Sequence, residues 1–188
     1  AERGFSYRHD GPLDMRMDQR RSRTAADLLA ALSEEALGEA LRDLADEPDH
    51  QEIAQRIVER REREPLTRAG QLVELVLEVK GIDAADFKRR RQRNPGLLHP
   101  AARTFQALRM LVNDELAALK ELLRVAPDCL GAGGRIGIIS FHKYDMASGQ
   151  KQLLTTAGVL YMHCLFLAIK LHMCYKAIGT IYKYGMCH

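Results

Sequence analysis

Several residue types that mark particular classes of protein are scarce or missing in this chain. Tryptophan is absent, and the four cysteines never form a C-x-x-C pair, so no metal site is predicted. Only one cysteine lies in the first 150 residues, which is typical of a reducing compartment. The formal net charge is only +3, so any surface for nucleic acid must be local.

Two further absences divide the chain. Arginine occurs 20 times up to Arg135 and never afterwards, and no acidic residue follows Lys151. A frameshift or an unspliced intron near His142 would produce such a switch. Residues 153–169 carry no charge and number 17, the lower limit for a membrane span. A buried helix, a weak membrane anchor and out-of-frame sequence remain open. We favour the last, and expect no membrane partner.

A glycine-rich loop between an early strand and a helix is also missing. The cluster Gly131-Ala132-Gly133-Gly134 precedes a strand instead of following one, so it is not a dinucleotide cradle. No signal peptide is visible, and the first residue is Ala1. We therefore expect the natural protein to extend upstream.

The most informative stretch that is present is the signature segment, residues 3–18, which reads RGFSYRHDGPLDMRMD. Gly11-Pro12 predicts a turn, and apolar and charged residues then alternate strictly as far as Asp18. In an extended chain the two kinds of side chain point to opposite faces. Leu13, Met15 and Met17 would face inward, and Asp14, Arg16 and Asp18 would line a cleft. A surface loop followed by an edge strand is the simpler alternative.

Residues 24–81 predict a compact bundle of four helices. Thr24, with Asp27 three residues on, and Ser33 are typical N-caps of the first two helices. The third helix is expected from about Asp49 to Arg63, and Thr67 is expected to cap the fourth, which ends near Gly81. The charged residues between the apolar positions form a solvated outer face.

A basic run follows at residues 88–93, where five of six positions are cationic. Such a run can bind phosphates, because each neutralised phosphate releases counterions. It can equally be a mobile, solvated loop. Its candidate RNA-binding residues are Lys88, Arg89, Arg90, Arg91 and Arg93.

From His99 the apolar spacing of Phe105, Leu108, Val112, Leu116, Leu119 and Leu123 predicts one long helix. Arg103, Gln106 and Arg109 lie on another face and are further RNA-binding candidates. Residues 135–141 then read as a strand buried on both faces, which with the preceding helix gives the αβ half of a doubly wound fold. His142 follows at the carboxyl end of this strand, where such sheets place ligands.

Three stretches resemble motifs of the bacterial MraW-type methyltransferases. The signature segment is similar to RGFSF-x-x-DGPLDMRMD, residues 99–116 to HPATRTFQALRI-x-VN-x-EL, and residues 133–142 to PGGRL-x-x-ISFH. The likeness spans about residues 2–142. It stops where the family continues SFHSLEDR and this chain reads Ser140-Phe141-His142-Lys143.

The resemblance implies an α/β fold, a partial doubly wound (Rossmann-like) methyltransferase with a helical insertion. Its expected reaction is S-adenosylmethionine-dependent methylation of N4 of a cytidine in small-subunit ribosomal RNA. The expected partners are that RNA and the small ribosomal subunit, and not DNA. The cofactor-binding residues are expected upstream of Ala1, so the chain alone is expected to be inactive.

Four regions follow from the motifs: residues 1–23 as active-site signature, 24–95 as helical RNA-recognition insertion with its basic loop, 96–142 as a return to the core, and 143–188 as an atypical tail. N4 of cytidine is a weak nucleophile that needs a hydrogen-bond acceptor. The catalytic candidates are Asp10, Asp14, Arg16, Asp18 and His142, although an Asp14–Arg16 ion pair could be purely structural. A non-enzymatic RNA-binding module is the alternative function. The expected location is the cytoplasm, or a mitochondrion or chloroplast in a eukaryote.

Overall fold

The computed structural model describes residues 3–129, 136–139 and 160–163. The chain divides into two compact units, residues 1–115 and 116–188. The first unit is helical in its described residues. Its helices are α1 (Ala25–Ala31), α2 (Glu34–Ala45), α3 (His50–Arg61), α4 (Ala69–Val79), α5 (Ala84–Arg93) and α6 (Ala102–Asn113). Helix α7 (Glu115–Cys129) follows, and then strands β1 (Ile136–Ile139) and β2 (Leu160–His163).

The first two helices begin where the sequence predicts. The Thr24 hydroxyl accepts a hydrogen bond from the Asp27 N–H, and the Asp27 carboxylate accepts one from the Thr24 N–H, which completes a capping box. Ser33 caps α2 by accepting from the Ala36 N–H at 3.2 Å. These side chains satisfy amide groups that have no partner within the helix, and so fix each starting point.

Two local predictions are wrong. The fourth helix is capped by Arg68 and not by Thr67, because the Gln71 side-chain oxygen accepts the N–H groups of both residues and holds Thr67 outside the helix. The basic run is also not a loop. It forms the second half of α5, which Asp83 starts by accepting the Asp86 N–H at 2.7 Å.

The long helix predicted from His99 is in fact two helices. Asp114 adopts a left-handed conformation with φ of +51°, which ends α6 one residue before α7 begins. Aspartate tolerates this conformation better than most residues with a side chain. The apolar spacing gave no sign of the break, because it continues across both helices.

The core of the first unit surrounds α2, which packs against α3 and α6. Leu37, Leu41 and Ile53 are fully buried there. Leu13 and Met15 of the signature segment belong to the same cluster of buried side chains. The signature segment is therefore part of the helical core, and its backbone position is set by that packing.

In the second unit the described strands pair in parallel, from Ile136 opposite Leu160 to Ile139 opposite His163. The strand predicted at residues 135–141 is thus confirmed over Ile136–Ile139. Leu160–His163 form β2, so the alternative of a buried helix across residues 153–169 is wrong for these four residues. Within the described part of the chain, no helix has the length and apolar character to span a bilayer.

Candidate functional site

The signature segment crosses the helical unit as a turned chain and not as an extended strand. Its backbone is anchored to the start of α4, since the Leu13 N–H donates to Thr67 O at 2.8 Å and Gly11 O accepts from the Ala69 N–H at 2.9 Å. Met15 has a φ of +59°, so the alternation of faces is broken at that residue. The inward orientation expected of Leu13 and Met15 is confirmed, but that of Met17 is wrong, because 57% of Met17 is exposed.

Gly4 makes this path possible. Its φ is +70°, and a Cβ atom at that position would lie 2.4 Å from Pro12 O. The chain at Gly4 thus passes directly against the chain at Pro12. Only glycine combines the left-handed conformation with so close a backbone approach.

Asp14 and Arg16 form a bidentate ion pair. The Arg16 Nε and Nη2 atoms donate to the two carboxylate oxygens at 2.7 and 2.8 Å, and Nη1 donates to the carbonyl oxygens of Gln19 and Arg21. The hydrogen bond from Arg16 holds the pKa of the Asp14 carboxyl below its ordinary value. Arg16 therefore holds Asp14 and the turn that follows the signature segment together. This is the structural role that the sequence allowed as the alternative for the Asp14–Arg16 pair.

Asp10 and Asp18 are also paired, but in different surroundings. Asp10 accepts from the Gly70 N–H at 2.9 Å and forms an ion pair with Arg68 at 2.7 Å. The hydrogen bond from Gly70 is the largest cause of the lowered Asp10 pKa, and the hydrogen bond from Arg68 is the next. Asp10 thereby caps the first turn of α4 from 60 residues away. Asp18 lies at the surface, and its pKa is lowered by the hydrogen bonds from Arg20.

The sequence interpretation missed the role of Asn113, which lies at the end of α6. Its side-chain oxygen accepts the Met17 N–H at 2.7 Å, and its amide nitrogen donates to Met15 O at 2.8 Å and to Arg109 O at 2.9 Å. Asn113 is 6% exposed. A lone asparagine inside the apolar spacing was the available signal, since a buried amide requires partners.

The three candidates on α6 have partners inside the protein. Arg103 donates to Asp46 O at 2.6 Å, and Arg109 forms a bidentate pair with Glu115 at 2.7 and 3.0 Å. The Gln106 amide lies 4.0 Å from the Met110 sulfur. This geometry favours a packing role for all three, and their contact with RNA remains a prediction.

A buried ionic cluster contacts α6 through Thr104, and it was not predicted from the sequence. Glu47, whose side chain is fully buried, pairs with Lys80 and accepts a hydrogen bond from the Thr104 hydroxyl at 3.4 Å. Lys80 also pairs with Asp49 at 3.0 Å. The sequence had marked residues 47–49 only as a helix break. The cluster joins the α2–α3 turn to α4 and α6.

Helix α5 differs from these paired regions. Phe87 is its only buried residue, so the helix touches the rest of the unit along a narrow line. Arg89 pairs with Asp86 at 3.4 Å. Within the described part of the chain the other four cations, Lys88, Arg90, Arg91 and Arg93, have no ionic partner. The basic residues therefore surround the exposed sides of α5 and form a cationic surface, which we call the α5 face.

His142 falls outside the described residues. The described residues also contain a pocket of about 190 Å³ between α2 and α3, lined by Glu34, Glu35, Gly38, Glu39, Arg42, His50 and Gln51. None of the predicted site residues lines it. No group of three or more potential metal ligands occurs among the residues described.

Comparison with known proteins agrees with the motifs. The model of the MraW methylase family matches residues 1–155, which is further than residue 142, where the motifs stop. The chain is 48% identical to ribosomal RNA small subunit methyltransferase H of Heliobacterium modesticaldum over 145 residues, 77% of this chain and 44% of that protein. It is 46% identical to the protein of the same name from a Paenibacillus species, over 77% of this chain and 43% of the relative.

These matches confirm the predicted family: the chain belongs to the MraW methylase family. It spans about half the length of the curated relatives that it matches.

Proposed function

We propose that the complete protein is an S-adenosylmethionine-dependent methyltransferase acting on N4 of a cytidine in small-subunit ribosomal RNA. Within it, we assign this chain the task of holding the RNA. The observation that carries the assignment is the α5 face, where four of the five cations have no ionic partner among the described residues, in a member of this family. The names of the bacterial relatives support the substrate.

The α5 face has more positive charge than the fold requires. A helix of ten residues with one buried side chain gains little from packing, and basic residues near its C-terminus stabilise it only modestly through the helix dipole. Four exposed or half-exposed cations, which have no ionic partner in the part of the chain that the structure describes, are available to phosphates. If all four contact a single strand, the logarithm of the affinity should fall with the logarithm of salt with a slope of about 3.

The signature segment would serve this RNA-holding part as a rigid frame. Asp10, Asp14 and Arg16 are engaged in hydrogen bonds that shape the backbone, so we assign them positioning roles. Asp18, whose side chain is 44% exposed and pairs with its near neighbour Arg20, stays our candidate for contact with the target base. The catalytic role predicted for His142 also stays a proposal.

The pocket between α2 and α3 does not fit S-adenosylmethionine. It is smaller than the 300–1,000 Å³ usual for ligands of that kind, three of its seven lining residues are glutamates, and it has no glycine loop. The cofactor is therefore assigned to the rest of the protein. We also propose that the complete protein contains a doubly wound sheet, and that β1 and β2 of this chain are two of its parallel strands.

The same proposal includes the division of the sequence into four regions. It also places the protein in the bacterial cytoplasm or, in a eukaryote, in an organelle. The small ribosomal subunit or its precursor would be the partner. The tail remains our candidate for out-of-frame sequence, beginning beyond residue 155 if the family match marks the limit.

The RNA-holding role can be tested by titrating a small-subunit ribosomal RNA fragment with this chain between 50 and 200 mM salt. The variant K88Q/R90Q/R93Q should lower the salt slope by about 2, because three phosphate contacts are lost. The variant R23Q/R63Q/K120Q removes the same charge from exposed cations elsewhere and should leave the slope nearly unchanged. Equal salt slopes in the two variants would show that the α5 face is only a solvated surface and does not bind the RNA.

A non-enzymatic RNA-binding module is the second candidate function. It is favoured by one observation, that the described residues offer a cationic face and no cofactor cradle. The two functions separate in a single assay with the natural full-length protein. Incorporation of a labelled methyl group into ribosomal RNA supports the enzyme, and tight RNA binding without incorporation supports the module.

A further inference from the structure

Three elements of the first unit meet at the imidazole ring of His99. The Tyr7 ring of the signature segment stacks on it with centroids 4.5 Å apart and planes 21° apart. The Phe87 ring of α5 meets it edge to face at 5.0 Å. The His99 Nδ1 atom accepts the Ala101 N–H at 3.1 Å, just before α6 begins. His99 is buried, so these contacts fix α5 against the signature segment.

This junction has an arginine on each side. Arg8 directly follows Tyr7 in the signature segment. Arg91 lies one helical turn after Phe87, four residues on, and so projects from the same face of α5. Neither guanidinium has an ionic partner within the part of the chain that the structure describes. Arg68 and Arg109, in contrast, are held by carboxylates at 2.7 Å.

Both arginines lie close enough to His99 for their positive charge to act on its imidazole ring. The pKa of His99 is lowered, first by burial and then by the positive charges of Arg91 and Arg8. Two guanidinium groups that act on one ring from two different elements also repel each other. A single anion between them would relieve that repulsion and would accept hydrogen bonds from both.

We propose that Arg8 and Arg91 form a clamp for one phosphodiester group of the bound RNA strand. A phosphodiester suits the position better than a free anion, because Arg90 and Arg93 place further positive charge on other sides of the same helix, where neighbouring phosphates can bind. The clamp joins the RNA strand to the signature segment itself, and so would set the distance between the strand and Asp18. It rests on the proposed function, since it takes RNA to be the ligand of the α5 face.

A double-mutant cycle on the full 188-residue chain tests the clamp. R8Q and R91Q should each weaken binding of a single-stranded small-subunit ribosomal RNA fragment about tenfold, and each should lower the salt slope by about 0.7. If both arginines hold one phosphate, the variant R8Q/R91Q should lose little more than either single variant. R63Q, at an exposed arginine away from the junction, is the matched control. Thermal melts that match the wild type show that folding is retained.

The outcomes separate the clamp from the broader function. Losses that add up to about a hundredfold in the double variant would place the arginines on separate phosphates and would overturn the clamp, as would single variants that bind like R63Q. In either case, a reduced affinity of K88Q/R90Q/R93Q would leave the RNA-holding role intact. Wild-type affinity that does not depend on salt would overturn both proposals.

A second readout uses His99 as a reporter. The positive charges of Arg8 and Arg91 oppose protonation of the His99 imidazole. A bound phosphate offsets those charges, so RNA binding should raise the pKa of His99. The ring proton resonances of His99 measure this pKa. Tyr7 is the other titratable group in ring contact with His99. Inorganic phosphate should give the same shift only at far higher concentration. A shift by phosphate at RNA-like concentrations would show a free-anion site, and an unchanged pKa with RNA bound would refute the clamp.

Discussion

Removing the Asn113 side chain should destabilise the protein far more than its position at a helix end suggests. Asn113→Ala deletes three hydrogen bonds, to Met15 O, Met17 N and Arg109 O. At about 1 kcal/mol for each bond, the free energy of unfolding should fall by about 3 kcal/mol. That is a large share of the roughly 5–15 kcal/mol that stabilises a typical domain.

The direction of the bonds allows a sharper test with Asn113→Asp, which keeps the size of the side chain. The acceptor for the Met17 N–H remains, but the two donated bonds are replaced by contacts between a carboxylate and carbonyl oxygens. Asn113→Asp should therefore destabilise the protein by at least 2 kcal/mol, again from about 1 kcal/mol for each lost bond.

Urea unfolding followed by far-ultraviolet circular dichroism gives both values, with an unchanged dependence on denaturant. Asn94→Ala is the matched control, because Asn94 is exposed and should change stability by less than about 0.5 kcal/mol. Hydrogen exchange at the Met17 amide should accelerate in Asn113→Ala. A loss below about 0.5 kcal/mol in both Asn113 variants would refute the view that this amide anchors the signature segment.

Three further predictions concern the other anchors. The Asp10 carboxyl has its pKa lowered below the ordinary 3.8 in the folded protein, so its contribution to stability is present above about pH 3.8 and is lost as the pH falls through the folded value. The melting-temperature gap between wild type and D10A should therefore shrink as the pH is lowered from 6 to 3, and a constant gap would contradict this. Gly70→Ala would bring a Cβ within 2.9 Å of the Asp10 Oδ1 atom, so it should lower the melting temperature in the wild type and be harmless in D10A. Lys80→Met leaves Glu47 buried without its cation and should lower the free energy of unfolding by about 3–5 kcal/mol, while E47Q/K80M should lose less in the same urea assay.

The local signals in the sequence predicted much of the helical unit. Thr24 and Ser33 cap helices through bonds between near neighbours, so the residues that decide them lie in one short window. The break at Asp114 had no such local signal. It depends on a conformation that several residues can adopt, and the apolar spacing continues through it.

The site was harder to predict because its partners lie far apart in the sequence. Asp10 bonds to Gly70 across 60 residues, and Asn113 bonds to Met15 across 98. The charges of the signature segment suggested a cleft, but a carboxylate that caps a distant helix has the same local sequence as one that faces a substrate. The basic run is visible in the sequence, but its helical conformation was not predicted, and its contact with RNA stays a prediction.

The most direct test of the central claim is the methylation of small-subunit ribosomal RNA by the natural full-length protein, measured as N4-methylcytidine by mass spectrometry. If the α5 face holds the RNA, K88Q/R90Q/R93Q should raise KM for the RNA at least tenfold and leave kcat within about twofold, since only uniform binding is lost. R23Q/R63Q/K120Q should behave like the wild type. N4-methylcytidine formed with the same KM by both variants, or no methyl transfer by the wild type, would contradict the account.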